Sequence, residues 1–296
     1  MIKKLQKLFS SLIVSSDANH LVDGSYAWFI SDDKKLIGIL KTELTDKDMA
    51  LLSTFLQPYN TQFPLPTVEE EKWKQIVEKT DEPTDITYKA PYRFIYFSMN
   101  PNQITPSQFK EAIQELFSRE VPILWQNSHE GILIEEQSSD VETISYDQII
   151  DILMSDLYVT IKFFVGPYHE QYTHAQRHYN MLIHGAHTAL AYSKKSVVTY
   201  VDAVPIFFIN EANHNIRSNI SETILQEFIH DGETLKMIET FLSCNLNISE
   251  TAKELYMHRN SLQYRLDRFY EKTSIDVRKF HEAMSVYLAL LAKDEK

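Results

Sequence analysis

Between Asn247 and Phe269 the placing of small and apolar residues leaves the C-terminal part of this chain little choice of fold. Asn247 and Glu250 are spaced to cap a short helix. Ala252 is small enough to let a second helix cross close by, and Leu255 faces the same core. Tyr256-Met-His258 makes a tight connection, with Met257 as the apolar plug beneath it. Leu262, Leu266 and Phe269 then recur at i, i+4 and i+7, the period of one buried helix face. Two short helices joined in this way are predicted to form a helix-turn-helix over 247–270.

Burying those three residues decides what points outward. Asn260, Gln263 and Tyr264 project from the first turns of the second helix, flanked by Arg259 and Arg265. Side chains of these types can read base edges or bind phosphate, which a recognition helix does with its N-terminal residues. Asp267 and Glu271 follow on the same face and would repel phosphate, so the helix is expected to enter a groove N-terminus first. Ser249, Thr251 and Lys253 on the preceding helix can hold a phosphate backbone, partly through amides exposed at its start. The net charge of −12 argues against general, sequence-blind nucleic-acid binding, though not against a DNA-binding protein whose positive charge is confined to one face. Between Lys253 and Lys279, however, basic residues outnumber acidic ones.

The run Thr251-Ala-Lys-Glu-Leu-Tyr-Met-His-Arg-Asn-Ser-Leu-Gln-Tyr-Arg-Leu266, followed by Phe280 and the helix at Leu288–Leu291, resembles the C-terminal domain of PucR/CdaR-type transcriptional regulators. His258, Arg259, Asn260, Ser261, Tyr264, Arg265 and Leu266 match the family signature position by position. The resemblance implies sequence-specific binding of double-stranded promoter or operator DNA. The contact set is then Ser249, Thr251, Lys253, His258, Arg259, Asn260, Ser261, Gln263, Tyr264, Arg265 and Arg268. In that family a degenerate GGDEF-like domain commonly precedes the helix-turn-helix. An active cyclase would need a Gly-Gly-Asp/Glu-Glu-Phe signature on its central hairpin and carboxylates after its first strand to hold Mg²⁺. This chain has Asn127-Ser-His-Glu-Gly131 and Ser98-Met-Asn-Pro-Asn102 there, so no cyclase activity, no enzyme activity and no cofactor are expected.

Upstream, the pattern predicts an α+β multidomain chain. Residues 1–65 read as a small N-terminal α/β unit. It opens on an amphipathic helix, Met1 to Phe9, rather than a signal peptide. Strands follow at Tyr26–Ile30 and Leu36–Leu40, joined by a hairpin turn, and then a helix capped by Thr45 and Asp48 and ended by Pro58. Residues 66–88 read as a connecting segment, its acidic stretch Val68–Lys79 a solvated helix and Asp81-Glu-Pro-Thr-Asp85 a breaker. Residues 89–212 alternate strand (Arg93–Met99), helix (Ser107–Arg119), strands (Val121–Trp125 and Gly131–Glu135), helix (Tyr146–Leu157), strand (Tyr158–Val165), long helix and strand (Ser196–Val201). A ferredoxin-like β-α-β-β-α-β core can be seen within that order. Residues 213–296 read as an all-α domain with helices at Glu222–Ile229, Glu233–Cys244, Ser249–Leu255, Arg259–Thr273 and Val277–Leu291.

Other chemistry is sparse. His174 and His178 share a predicted helix face and, with Glu170, could supply metal ligands; the preferred reading is a polar flank beside the Ala175/Tyr179 stripe, with no metal. Cys244 is the only cysteine, which excludes an internal disulfide and fits a reducing cytoplasm; a half-buried packing role is expected. No apolar stretch is long enough to span a bilayer. A single module of this kind contacts few base pairs, so a homodimer is expected, with the upstream domains dimerising or sensing an unidentified small-molecule effector. The alternatives are a nucleotide-cyclase-related signalling enzyme, which the missing carboxylates disfavour, and a protein–protein adaptor.

Overall fold

A computed structural model describes residues 2–15, 25–31, 33, 35–78, 90–117, 120–137 and 145–293. The chain divides into two compact units, residues 1–163 with 167–179, and residues 164–166 with 180–296.

The first unit begins with α1 (Ile2–Leu5), a single turn rather than the longer amphipathic helix expected. Its Ile2 and Leu5, with Phe9 beyond it, nonetheless pack on the cluster of Leu12, Phe29, Ile37 and Ile39. Strands β1 (Ile13–Ser15), β2 (Tyr26–Ile30) and β3 (Leu36–Leu40) precede α2 (Asp46–Phe55) and β4 (Gln57–Tyr59), in the sheet order β1-β3-β2-β4. The β2–β3 hairpin has the expected bounds and is closed by Ser31 N–H to the Lys35 carbonyl at 3.0 Å. Thr45 and Asp48 form the expected capping box on α2. Pro58 ends that helix but also sits in β4 opposite Phe29; the strand lies at the sheet edge, where a residue with no N–H to donate is tolerated.

The segment expected to be a connecting, solvated stretch holds a packed helix, α3 (Val68–Glu78). Trp73 is fully buried there against Tyr92, Phe94 and Tyr172. Glu70 is also buried. It pairs with Lys110 at 2.7 Å and accepts the Ile123 N–H at 3.0 Å. The helix itself was expected, but its acidic composition hid the buried side formed by Trp73, Ile76 and Val77. The breaker Asp81–Asp85 falls outside the described residues.

Elements β5 (Tyr92–Met99), α4 (Pro106–Leu116), β6 (Ile123–Asn127), β7 (Glu130–Glu136), α5 (Tyr146–Leu157) and β8 (Ile161–Val165) follow in the expected β-α-β-β-α-β order. Their strands lie side by side as β6-β7-β5-β8, with β5 and β6 each antiparallel to β7. The hairpin turn between β6 and β7 is held by Asn127, which accepts from the His129 N–H at 2.9 Å and donates to Glu130 at 2.8 Å. Strand β8 starts later than expected because Tyr158 takes a left-handed conformation (φ 54°) that closes α5.

The second unit takes the C-terminal part of α6 (Ala175–Tyr192), then β9 (Val197–Thr199), α7 (Tyr200–Glu211) and α8 (His214–Leu225). The strand expected to reach Val201 stops at Thr199, because Thr199 and Asp202 form a capping box that starts α7. The chain is therefore helical well before Ser218. The helix expected over Glu222–Ile229 is the end of α8 followed by a 3-10 turn at Gln226–His230. Helices α9 (Gly232–Ser243), α10 (Ile248–Glu254), α11 (Arg259–Thr273) and α12 (Phe280–Lys293) complete it. Val277 is buried in the turn before α12 rather than being part of the helix. Leu225, Phe228, Ile238, Phe241, Leu262, Leu266, Phe269 and Val286 belong to one apolar cluster beneath these helices. Among the described residues no helix is long and apolar enough to cross a membrane.

Candidate nucleic-acid interface

Helix α10 starts at Asn247, whose side-chain oxygen accepts from the N–H groups of Ser249 and Glu250. In this structure those amides are satisfied by the Asn247 cap. Ser249 and Lys253 are exposed. Thr251 is fully buried, its hydroxyl donating to the Asn247 carbonyl at 2.7 Å. It stabilises the start of α10 from inside and is not a contact residue, as sequence reasoning had placed it.

The turn into α11 is made by Tyr256 in a left-handed conformation (φ 51°), with Met257 against the core as expected. His258 caps α11 by accepting the Asn260 N–H on Nδ1 at 3.3 Å. Leu262, Leu266 and Phe269 are buried, at 0%, 1% and 0% exposure, so the periodicity places the helix face as read. Arg259, Asn260, Ser261, Tyr264 and Arg268 are exposed, and Gln263 is half-buried. Lys253 and Arg259 enter no ion pair among the described residues.

Arg265 differs from the expectation: it is half-buried and paired with Glu233 in the first turn of α9. Asp267 is paired with Arg278 at 2.7 Å, which offsets the charge expected to repel phosphate there. A cavity of about 540 Å³ opens between the start of α9 and α11, lined by Phe228, Asp231, Glu233 and Thr234 on one side and by Asn260, Ser261, Tyr264, Arg265 and Arg268 on the other. Hydrogen bonds from Thr234 hold the Asp231 carboxyl below the usual carboxylate range, with Arg268 adding to this. Sequence reasoning missed the α9 wall. Asp231-Gly232 reads locally as a break between helices, and nothing near Glu233 signals a partner 32 residues away.

The histidines form a different arrangement from the one expected. The helix starts at Ala175, so His174 lies in the preceding 3-10 turn and shares no helix with His178. Instead His169 and His178 stack, ring centroids 3.5 Å apart, and Tyr92 is hydrogen-bonded to His178 Nδ1 at 3.1 Å. No group of three or more His, Cys, Asp or Glu side chains among the described residues is placed to hold a metal ion. Burial, with His169, His174 and Arg177 nearby, pushes the His178 imidazole down to about 4 from an ordinary 6.5. The fold thus binds it neutral and the unfolded chain takes up the proton. Its contribution to stability is present above about pH 6.5 and lost as pH falls towards 4. Discounted for its partial exposure, the loss is on the order of 1–2 kcal/mol. His178→Gln should flatten the unfolding free energy across that window; a profile as steep as wild type would rule this out.

Residues 234–292 match the family model described as the PucR C-terminal helix-turn-helix domain, which spans α9 to α12. Along its whole length the chain is 27% identical to the uncharacterized protein YxkF of Bacillus subtilis (strain 168), covering 99% of each chain. Over 64 residues it is 36% identical to the proline-responsive transcriptional activator PutR of the same organism, covering 22% of this chain and 16% of PutR. Over 72 residues it is 31% identical to the carbohydrate diacid regulator of Escherichia coli (strain K12), covering 24% and 19%. The similarity to named regulators thus covers about a quarter of the chain or less, while the similarity to YxkF runs along nearly all of it.

Proposed function

We propose that this chain is a cytoplasmic transcriptional regulator that binds double-stranded DNA through α11. The observation that carries the reading is the two-sided character of that helix. Leu262, Leu266 and Phe269 are buried, which leaves Arg259, Asn260, Ser261 and Tyr264 exposed at its N-terminal end. Arg and Asn are the side chains suited to bidentate contacts with guanine and adenine edges. The match to a PucR-type helix-turn-helix and the names of PutR and the diacid regulator support the same reading. Ser249 and Lys253 flank the helix as backbone contacts, and His258 orders its first turn.

The protein acts as a homodimer on paired half-sites, and has no enzymatic role. The small unit at 1–65 and the region at 89–212 serve dimerisation or sensing of a small-molecule effector. The latter is a degenerate GGDEF-like domain. Its strand order β6-β7-β5-β8 supports that reading; the hairpin turn Asn127–Glu130 lacks the Gly-Gly-Asp/Glu-Glu-Phe signature, and the Ser98–Asn102 segment lacks the carboxylates that would hold Mg²⁺. The full chain, incubated with fragments of its own genome, should retain a small set of them at a salt concentration that strips bulk DNA. Retention of no fragment above bulk would remove the DNA-binding reading and leave a protein–protein adaptor.

A further inference from the structure

Arg265 carries one of the positive charges flanking the exposed start of α11, yet it is not free. Glu233, in the first turn of α9, pairs with it across the cavity between the two helices. The Glu233 side chain is 75% exposed and that of Arg265 39%, so solvent and a ligand can reach the pair. Asp231 stands on the same wall as Glu233, and Arg268 on the wall opposite. Two carboxylates thus face two guanidiniums along the flank that a DNA backbone would meet if α11 entered a groove by its N-terminus.

We propose that Glu233 is an internal competitor for phosphate: by occupying Arg265 it suppresses sequence-blind DNA binding. This rests on the DNA-binding reading above. Non-specific binding draws its affinity from cations that neutralise phosphates. A guanidinium already matched by a carboxylate adds little to it, because a phosphate must first displace that carboxylate. Specific contacts from Arg259 and Asn260 lie outside the pair and are untouched by it. The device therefore lowers the affinity for bulk DNA more than the affinity for the operator, which widens the ratio between them.

The test compares full-length wild type with Glu233→Gln, Arg265→Gln, the double variant and Glu227→Gln. The last removes the same charge from an ion pair with Lys272 elsewhere in the unit. Binding is measured to a random-sequence duplex and to a fragment retained from the genome, over a range of salt. Glu233→Gln should tighten binding to the random duplex roughly two- to fivefold per chain, the range of an exposed ion pair. It should also steepen the log–log salt dependence by about 0.9 for each additional phosphate neutralised. Neither change should appear with Glu227→Gln, nor when Glu233→Gln is added to Arg265→Gln. Unchanged or weaker binding by Glu233→Gln, or an equal increase in the Arg265→Gln background, would overturn the proposal while wild-type selectivity kept the DNA-binding reading. A wild type with no preference for any fragment would remove both.

Discussion

Arg259→Ala and Asn260→Ala are each expected to abolish selective retention of genomic fragments while leaving the thermal melt unchanged. Both side chains are exposed in the first turn of α11, and neither contributes to the cluster that holds the helix down. Substitutions at such positions usually alter stability by less than about 0.5 kcal/mol. A bidentate base contact is worth about 1–3 kcal/mol of discrimination. In a dimer the loss is taken once in each half-site, so about 2–6 kcal/mol disappears, enough to bring operator binding down to the level of bulk DNA. Lys253→Ala should behave differently, weakening all DNA evenly and lowering the salt slope by about 0.9 for each half-site, because a phosphate contact positions without specifying. If Arg259→Ala and Asn260→Ala both keep full selectivity, the start of α11 is not the reading surface.

The second large effect concerns stability. Glu70→Ala is expected to cost about 3–5 kcal/mol, because it strands a buried ammonium. Glu70 and Lys110 are 4% and 7% exposed, and Glu70 also accepts from the Thr67 and Ile123 N–H groups at 2.8 and 3.0 Å. Removing the carboxylate leaves the Lys110 ammonium beside α3 with, among the described residues, only the Leu65 carbonyl, 3.5 Å away, as a further acceptor. Adding Lys110→Met to Glu70→Ala should recover part of the loss, since the stranded charge then goes and only unpaired amides remain. Urea unfolding followed by tryptophan fluorescence reads both variants. A loss below about 1 kcal/mol for Glu70→Ala would mean that water reaches the pair.

These two predictions differ in how much of each was legible before the fold was known. The first rests on Leu262, Leu266 and Phe269, whose spacing places the exposed and buried faces of α11 from a single turn-by-turn rule. The caps at Thr45, Asn247 and the β2–β3 hairpin are legible for the same reason, because each partner lies within a few residues of the other. The capping box at Thr199 and Asp202 is equally local, but the β-prone run around it hid it, and α7 was missed. The second prediction could not have been read in advance. Glu70 lies in an acidic stretch that reads as solvated; Thr67 is a local partner, but Lys110 and Ile123, which hold it in the interior, are 40 and 53 residues away.

The helix-turn-helix itself shows the same split. Its two helices, its tight turn and the outward set at Arg259, Asn260 and Tyr264 follow from residue spacing alone, since helical period and chain sterics act over a few residues. Two corrections inside it do not. Thr251 reads as a polar residue available to a backbone and is buried, because packing of α10 against its neighbours decides which side of a short helix meets the core. Arg265 reads as a free cation and is paired, because only the fold brings the start of α9 alongside α11. Local geometry is written in neighbouring residues, whereas burial and charge pairing depend on which distant segments the closed chain brings together.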